Sequence, residues 1–307
     1  MMNFRYHLVS LIAIFLALAV GIVLGAGPLQ SRIYTAVNSP KASGAGADID
    51  VLNQVQAQAR AEAAGIEHIS NAVLPSTLDG LNVVAVTLPG ADPEDVAAAR
   101  DTLNAAGAKV VGEVALTENW ESQSKDQFRQ TLATHLASYL EGKIPADATG
   151  DSMIGYAIVN TLTAPGPEQD VIAEILTDES NPILTFTEKP TEPVQSLVVI
   201  GKRGSAGTSE EDGEAAKDIP SANAWAGLAQ AMTQAPKKGI IVGDASQDTA
   251  PLAQLRALGS PVSTVDNVGS QLSCLSMALA LPQAASTVHA YGVGIGAEKV
   301  MPELPAR

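Results

Sequence analysis

Two residues with sulfur-containing side chains, Cys274 and Met277, lie one helical turn apart near the carboxyl end of the chain. Soft metal ions prefer thiolate and thioether ligands, and His289 is a further donor twelve residues beyond Met277. Buried cysteine and methionine side chains more often only fill a hydrophobic core. Cys274, Met277 and His289 are therefore candidate metal ligands, and the sequence leaves open whether they bind a metal or pack in a core.

Other catalytic or ligand-binding motifs have little support. A nucleophile elbow of the form G-x-S-x-G is absent, and the four histidines lack the spacing of metal ligands. The glycine-rich stretches at 201–207 and 292–296 match neither a phosphate-binding loop nor a dinucleotide-binding turn between a strand and a helix. We therefore expect no catalytic residues and no resident cofactor, and we interpret both stretches as loops.

The composition limits the partners that the protein can bind. The 307 residues include 18 basic and 33 acidic side chains, which gives a formal net charge of −15. A surface this negative repels phosphate backbones, so we exclude nucleic acid as a partner. The single cysteine excludes an internal disulfide framework.

An apolar run near the amino terminus predicts a membrane anchor. Residues 8–27 carry no charge, and about 20 helical residues span a hydrocarbon core of about 30 Å. The alternative is a signal peptide, whose apolar region is normally shorter, about 7–15 residues. Arg5 before the run favours a cytoplasmic amino terminus with the large domain outside. Ala17, Gly21 and Gly25 repeat every four residues, which predicts a helix-packing face and a homo-oligomer.

The region after the anchor predicts a linker and a helix. Residues 38–47 are typical of a flexible linker. Apolar residues in 52–73 then follow alternating three- and four-residue steps, which fits either a helix packed on the domain or a short coiled coil. We predict an anchor at 1–31, a linker with this helix at 32–80, and an α/β domain at 81–307.

From residue 81 onward, short apolar runs alternate with amphipathic stretches, which is typical of a largely parallel, doubly wound sheet. We predict strands at residues 81–88, 109–116, 183–187, 196–201, 239–243 and 262–265. We predict helices at residues 93–106, 124–141, 168–177, 221–234, 249–258 and 270–281.

Several stretches resemble one actinobacterial family. They are residues 6–11 (YHLVSL), 15–21 (FLALAVG), Leu24-Gly25, residues 263–267 (STVDN), and Tyr291 with Gly292, Gly294 and Gly296. The chain is similar in these stretches to the mycobacterial copper transport protein B family, described as copper-transport outer-membrane proteins. The resemblance implies attachment to a membrane of the cell envelope, copper as the transported ion, and a role in keeping cellular copper low. Relatives usually carry a longer coiled-coil-like segment after the span than the short linker and helix here.

The sequence thus leaves two main hypotheses for function. The first, which rests on the resemblance, is a single-span envelope protein that contributes to copper efflux or homeostasis, in either the inner or the outer membrane. The second is a membrane-anchored interaction module that presents an acidic α/β domain and transports nothing. An enzyme that uses a cleft in the α/β domain is a third, weaker hypothesis.

Overall fold

The computed structural model describes residues 45–146, 148–204 and 219–305, with backbone only for 45–49. The chain divides into two compact units, residues 1–66 with 205–215, and residues 67–204 with 216–307. The described residues of the first unit all belong to helix α1 (Ala45–Val73), which continues past the boundary at residue 66. The helix begins inside the predicted linker 38–47, and alanine and glutamine, both strong helix formers, dominate its middle.

The second unit is an α/β fold. Its strands are β1 (Asn82–Thr87), β2 (Lys109–Leu116), β3 (Leu184–Glu188), β4 (Ser196–Ile200), β5 (Ile240–Val242), β6 (Ser263–Val265) and β7 (Ala290–Tyr291). Its helices are α2 (Pro93–Ala105), α3 (Glu118–Glu121), α4 (Asp126–Leu140), α5 (Gly150–Thr163), α6 (Pro167–Leu176), α7 (Ala222–Met232), α8 (Pro251–Ala257) and α9 (Gln271–Ala280), with 3₁₀ turns at Gln123–Lys125 and Leu281–Gln283.

The seven strands form one sheet in the order β3-β2-β1-β4-β5-β6-β7. Strand β3 runs antiparallel to β2, and the other pairs in the sheet are parallel. The prediction of a largely parallel sheet is therefore confirmed. The chain moves outward from β1 to β3 and then returns to β4 beside β1. The winding direction consequently reverses between β1 and β4, which is where doubly wound sheets form their ligand crevice.

Both faces of the sheet are buried, as alternation along β1 shows. Val84 and Val86 belong to the main core with α4 to α8, whereas Val83 and Ala85 are equally buried on the opposite face. Helix α2 packs on β1 and β2 there, and α9 packs on β5, β6 and α2. This arrangement of helices on both faces agrees with the predicted doubly wound fold.

The six predicted strands and six predicted helices of the domain are all present, but the sequence did not predict α5, β7 or the single-turn helix α3. Helix α5 is packed between α4 and α7 and is apolar around most of its circumference. It therefore shows no amphipathic period from which a helix could be predicted. Its Gly155 lies so close to Gly227 of α7 that an added Cβ would stand 2.6 Å from the Gly227 carbonyl oxygen. Strand β7 has only two residues, too few to show any alternation.

The predicted membrane span at 8–27, with Ala17, Gly21 and Gly25, lies outside the described residues. Within residues 45–146, 148–204 and 219–305, no helix combines the length and the apolar character needed to cross a membrane. The anchor and the three-part division of the chain therefore stay predictions.

Candidate functional site

The carboxyl ends of β1, β4 and β5 meet at one edge of the sheet, where the winding reverses. Lys202 and Arg203 follow β4 directly and extend to opposite sides of it. Lys202 lines a cavity on the α7 and α8 side, and Arg203 binds a carboxylate of α2 on the other side. We treat this edge as the candidate functional site because charged side chains, buried and partly buried, line two small cavities there.

The first cavity surrounds the buried carboxylate of Glu121. It is lined by Leu88, Pro89, Glu121, Lys202, Trp225, Asp244 and Pro251. Trp225 Nε1 donates a hydrogen bond of 3.1 Å to Oε2 of Glu121. Burial raises the pKa of Glu121, and the Trp225 hydrogen bond and the positive charge of Lys202 counteract part of that rise. The cavity has room for roughly one water molecule, because the centre of a water can occupy about 10 Å³ of it.

A buried arginine of α4 fixes the position of Glu121. Arg129 Nη1 donates to the Ser122 carbonyl oxygen at 2.5 Å, and its Nε donates to Oδ1 of Asp151 on α5 at 2.6 Å. The Glu121 carbonyl oxygen also accepts a 2.6 Å hydrogen bond from the Ser221 amide, just before α7. Glu121 is thus held directly by Ser221 and Trp225, and the next residue, Ser122, is held by Arg129, although the sequence singled out none of these residues.

On the other side of β4, Arg203 and Asp95 form a two-pronged ion pair. Arg203 Nε donates to Oδ2 and Nη2 to Oδ1 of Asp95, both at 2.6 Å. The Asp95 side chain is 4% exposed and that of Arg203 is 49% exposed. Gly269 has a φ of +86°, and a Cβ there would stand 2.5 Å from Arg203 Nε. A residue other than glycine at 269 would therefore displace the guanidinium.

Two of the three candidate metal ligands come together beneath this ion pair. Cys274 and Met277 of α9 line a second cavity with Asp95 and the last residues of β4 and β5, again with space for roughly one water. Burial raises the pKa of the Cys274 thiol, a Thr102 hydrogen bond lowers it in part, and the charge of Asp95 raises it. The thiol is therefore protonated at neutral pH, and a metal that bound it would release that proton.

His289 does not line the second cavity. It lies beside β7, where its Nδ1 is 2.9 Å from Oε2 of Glu298 and its ring packs edge-on against Tyr291. Across the described residues, no group of three or more His, Cys, Asp or Glu side chains is arranged to hold a metal ion. The structure thus brings Cys274 and Met277 together and places His289 with other partners.

A cluster at the ends of β6 and β7, which we call the C-terminal clasp, joins the two late stretches of the family resemblance. Asp266 accepts hydrogen bonds of 2.9 Å from the amides of Val293 and Gly294. Arg256 of α8 donates to Oδ2 of Asp266 at 2.8 Å and to the carbonyl oxygens of Tyr291 and Ile295 at 2.8 and 2.9 Å. The sequence predicted a loop at 292–296 but missed Arg256.

The residue types in these two stretches follow from the clasp. Side chains at Gly292 and Gly294 would collide with the Asp266 carboxylate and, for Gly294, with the Ala245 carbonyl oxygen at 2.7 Å. Asn267 has a φ of 63°, a left-handed conformation that asparagine tolerates better than most residues. The residue types in these stretches therefore follow from their structural role, which is to close the carboxyl end of the chain onto the sheet.

The fold and the site together define a doubly wound α/β domain with two cavities of single-water size at the carboxyl ends of its central parallel strands. The chain belongs to the family described as "Copper transport outer membrane protein, MctB", whose sequence model matches residues 1–302. It is 25% identical over 322 residues to the copper transporter MctB of Mycobacterium tuberculosis (strain ATCC 25618 / H37Rv), covering 98% of this chain and 99% of that protein. It is also 25% identical over 337 residues to the copper transporter MctB of Mycobacterium leprae (strain TN), with the same coverage.

Proposed function

We propose that this protein contributes to copper transport in the cell envelope, as part of copper efflux and homeostasis. The observation that carries the proposal is the family match over residues 1–302, together with relatives named copper transporters that align with 98% of the chain. An alignment of that extent covers the apolar amino terminus, the α/β domain and the clasp, so the likeness is not confined to one domain.

The proposal includes membrane attachment through residues 8–27, with the amino terminus in the cytoplasm and the domain outside. It also includes a homo-oligomer through the Ala17, Gly21 and Gly25 face. The anchor draws its support from the length and charge pattern of the sequence and from the family name, and the homo-oligomer from the four-residue spacing of the small residues. Resistance of the full chain to alkaline carbonate extraction, and its loss when Leu16 and Val20 are both replaced by Asp, would test the anchor.

For copper itself, we propose Cys274 and Met277 as the soft ligands that contact the ion in passage. They share one cavity, and a thiol with a thioether suits Cu(I). Full chain in detergent micelles should bind Cu(I) against a chelator, with affinity reduced at least about tenfold by Cys274→Ser or Met277→Leu. Met232→Leu, which changes a buried methionine of α7, is the matched control and should bind as the unaltered chain does. Equal affinity in all four proteins would contradict this assignment but would leave the transport proposal standing.

The transport proposal is tested in cells. A strain lacking the protein should stop growing at a lower copper concentration than its parent, and the intact chain should restore growth. An unchanged copper tolerance would contradict it and would favour the second candidate, a membrane-anchored interaction module. That candidate draws support from the small size of the two cavities and from the lack, among the described residues, of a metal-binding group of three or more His, Cys, Asp or Glu side chains.

A further inference from the structure

Exposed aliphatic side chains are concentrated in the last described residues of the chain. Of the ten large apolar side chains exposed in the described part of the protein, five lie between residues 288 and 304. They are Val288, Val293, Ile295, Val300 and Leu304, and we call them the C-terminal apolar strip. Exposed apolar residues that occur singly are ordinary, whereas a concentration of them marks an interaction surface.

The C-terminal clasp itself turns two of these side chains outward. Gly292 and Gly294 lie against Asp266, and the Ile295 amide donates a 2.8 Å hydrogen bond to the Ala245 carbonyl oxygen. With the backbone fixed in this way, Val293 remains 56% exposed and Ile295 40% exposed. The Arg256 and Asp266 hydrogen bonds therefore hold two apolar side chains in water, in a fixed position.

The strip follows the β7 edge of the sheet. The Lys299 carbonyl oxygen accepts from the Gly292 amide, and Gln283 Nε2 donates to the Glu303 carbonyl oxygen, so residues 298–304 extend alongside β7. At the opposite edge, Arg100 joins Glu113 of β2 to Glu188 of β3. Such charges at a sheet edge discourage association with other chains, and the β7 edge adds five exposed aliphatic side chains to its own His289–Glu298 and Lys299–Glu303 pairs.

The charge of the strip favours a second copy of this chain over a lipid surface. Residues 288–305 contain one lysine and two glutamates, a formal charge of −1 with histidine neutral, against −15 for the whole chain. Two equally acidic copies repel each other at most surfaces but very little here. Peripheral membrane contacts instead use basic and aromatic residues, and the strip has a single lysine and no exposed tryptophan.

We propose that the C-terminal apolar strip is a homodimer interface, in which two copies of the chain pack their strips together about a two-fold axis. Two-fold dimers are the commonest oligomers of soluble domains, and in them one patch meets its own copy. The proposal concerns a surface of the α/β domain, so it does not depend on copper transport or on association of the membrane helix.

Light scattering after size exclusion of the full chain in detergent micelles tests the proposal, with Gly21→Ile and Gly25→Ile in every protein compared, the reference included, so that the helix-packing face cannot hold a dimer together. The reference chain should be dimeric, and Val293→Asp or Ile295→Asp should weaken dimerisation about 30-fold or more, as expected of a residue central to an interface. Val171→Asp on α6 is the matched control, because Val171 is also exposed, at 37%, and lies outside the strip. Unchanged tryptophan fluorescence verifies folding in each variant. A monomeric reference chain, or dimers that persist in both strip variants, would overturn the proposal.

Cross-linking in native membranes distinguishes a second copy of the chain from the two other possible partners of the strip, the bilayer and a different protein. In a Cys274→Ser background, Val293→Cys should form disulfide-linked dimers under mild oxidation, and Val171→Cys should not. If a dye on Cys at position 293 is quenched by brominated lipids and no dimer forms, the strip contacts the bilayer and the proposal is wrong. Cross-links from position 293 only to a different protein would overturn it in the same way.

Discussion

The carboxyl edge of the sheet contains two arginine–aspartate pairs with the same chemistry in different surroundings. In the Arg256–Asp266 pair the two side chains are 4% and 2% exposed, whereas in the Arg203–Asp95 pair they are 49% and 4% exposed. The first pair closes the carboxyl end of the chain onto the sheet, and the second lies beside the cavity that Cys274 and Met277 line. One pair is therefore shielded from water on both sides, whereas in the other water reaches the arginine but not the aspartate.

The largest effect is expected from breaking the buried pair. Asp266→Ala leaves Arg256 charged and buried and removes the acceptor for two backbone amides, so we expect a loss of about 3–5 kcal/mol in the free energy of unfolding. Urea unfolding of the full chain, followed by tryptophan fluorescence, measures it. Asp101→Ala on the exposed side of α2 should change stability by no more than about 0.5 kcal/mol. Equal effects of the two substitutions would contradict the role given to the clasp.

An intermediate and asymmetric effect is expected at the half-exposed pair. Arg203→Ala leaves the Asp95 carboxylate buried without its partner and should cost about 1–3 kcal/mol. Asp95→Ala removes the buried charge and leaves the half-exposed Arg203 to water, so its cost should be smaller, about 1 kcal/mol. The same unfolding measurement compares them, and equal costs would show that Arg203 is no freer than Arg256.

The smallest effect concerns pH and the first cavity. Burial raises the pKa of Glu121. Glu121 therefore makes its full contribution to the free energy of unfolding below the ordinary pKa of a glutamic acid. It is lost as the pH rises through the folded-state pKa, since the unfolded chain gives up the proton first. Glu121→Gln should therefore show less loss of stability than the unaltered chain between pH 5 and pH 8. The exposed Glu179→Gln, which is not among the charges that act on Glu121, is the control and should follow the unaltered chain.

The sequence predicted the strands of this edge but not the contacts across it. Apolar runs such as 196–201 indicate buried parallel strands by their own composition, and the predicted helix 93–106 is α2, which begins at Pro93 after an Asp92 N-cap. Helix α5 was missed because it is buried on nearly all sides, and Arg256 was missed because its partners lie at residues 264–266 and 291–295. Pairing of distant residues depends on topology, which local spacing does not encode.

The candidate metal ligands illustrate the same limit. The three-residue spacing of Cys274 and Met277 within one helix was enough to predict that they lie together, and they share a cavity. The position of His289 is set by a turn and by the register of a strand, and the sequence indicated neither. His289 pairs with Glu298 instead. Contact of the cysteine and the methionine with copper is a prediction, and the Cu(I) titration tests it.

Cell-associated copper, measured by elemental mass spectrometry, tests the central claim most directly. A strain lacking the protein, its parent and the complemented strain are compared under copper load. We predict that copper rises in the deletion strain and returns to the parental level on complementation with the intact chain. Copper that is the same in all three strains would contradict a role in copper transport for this protein.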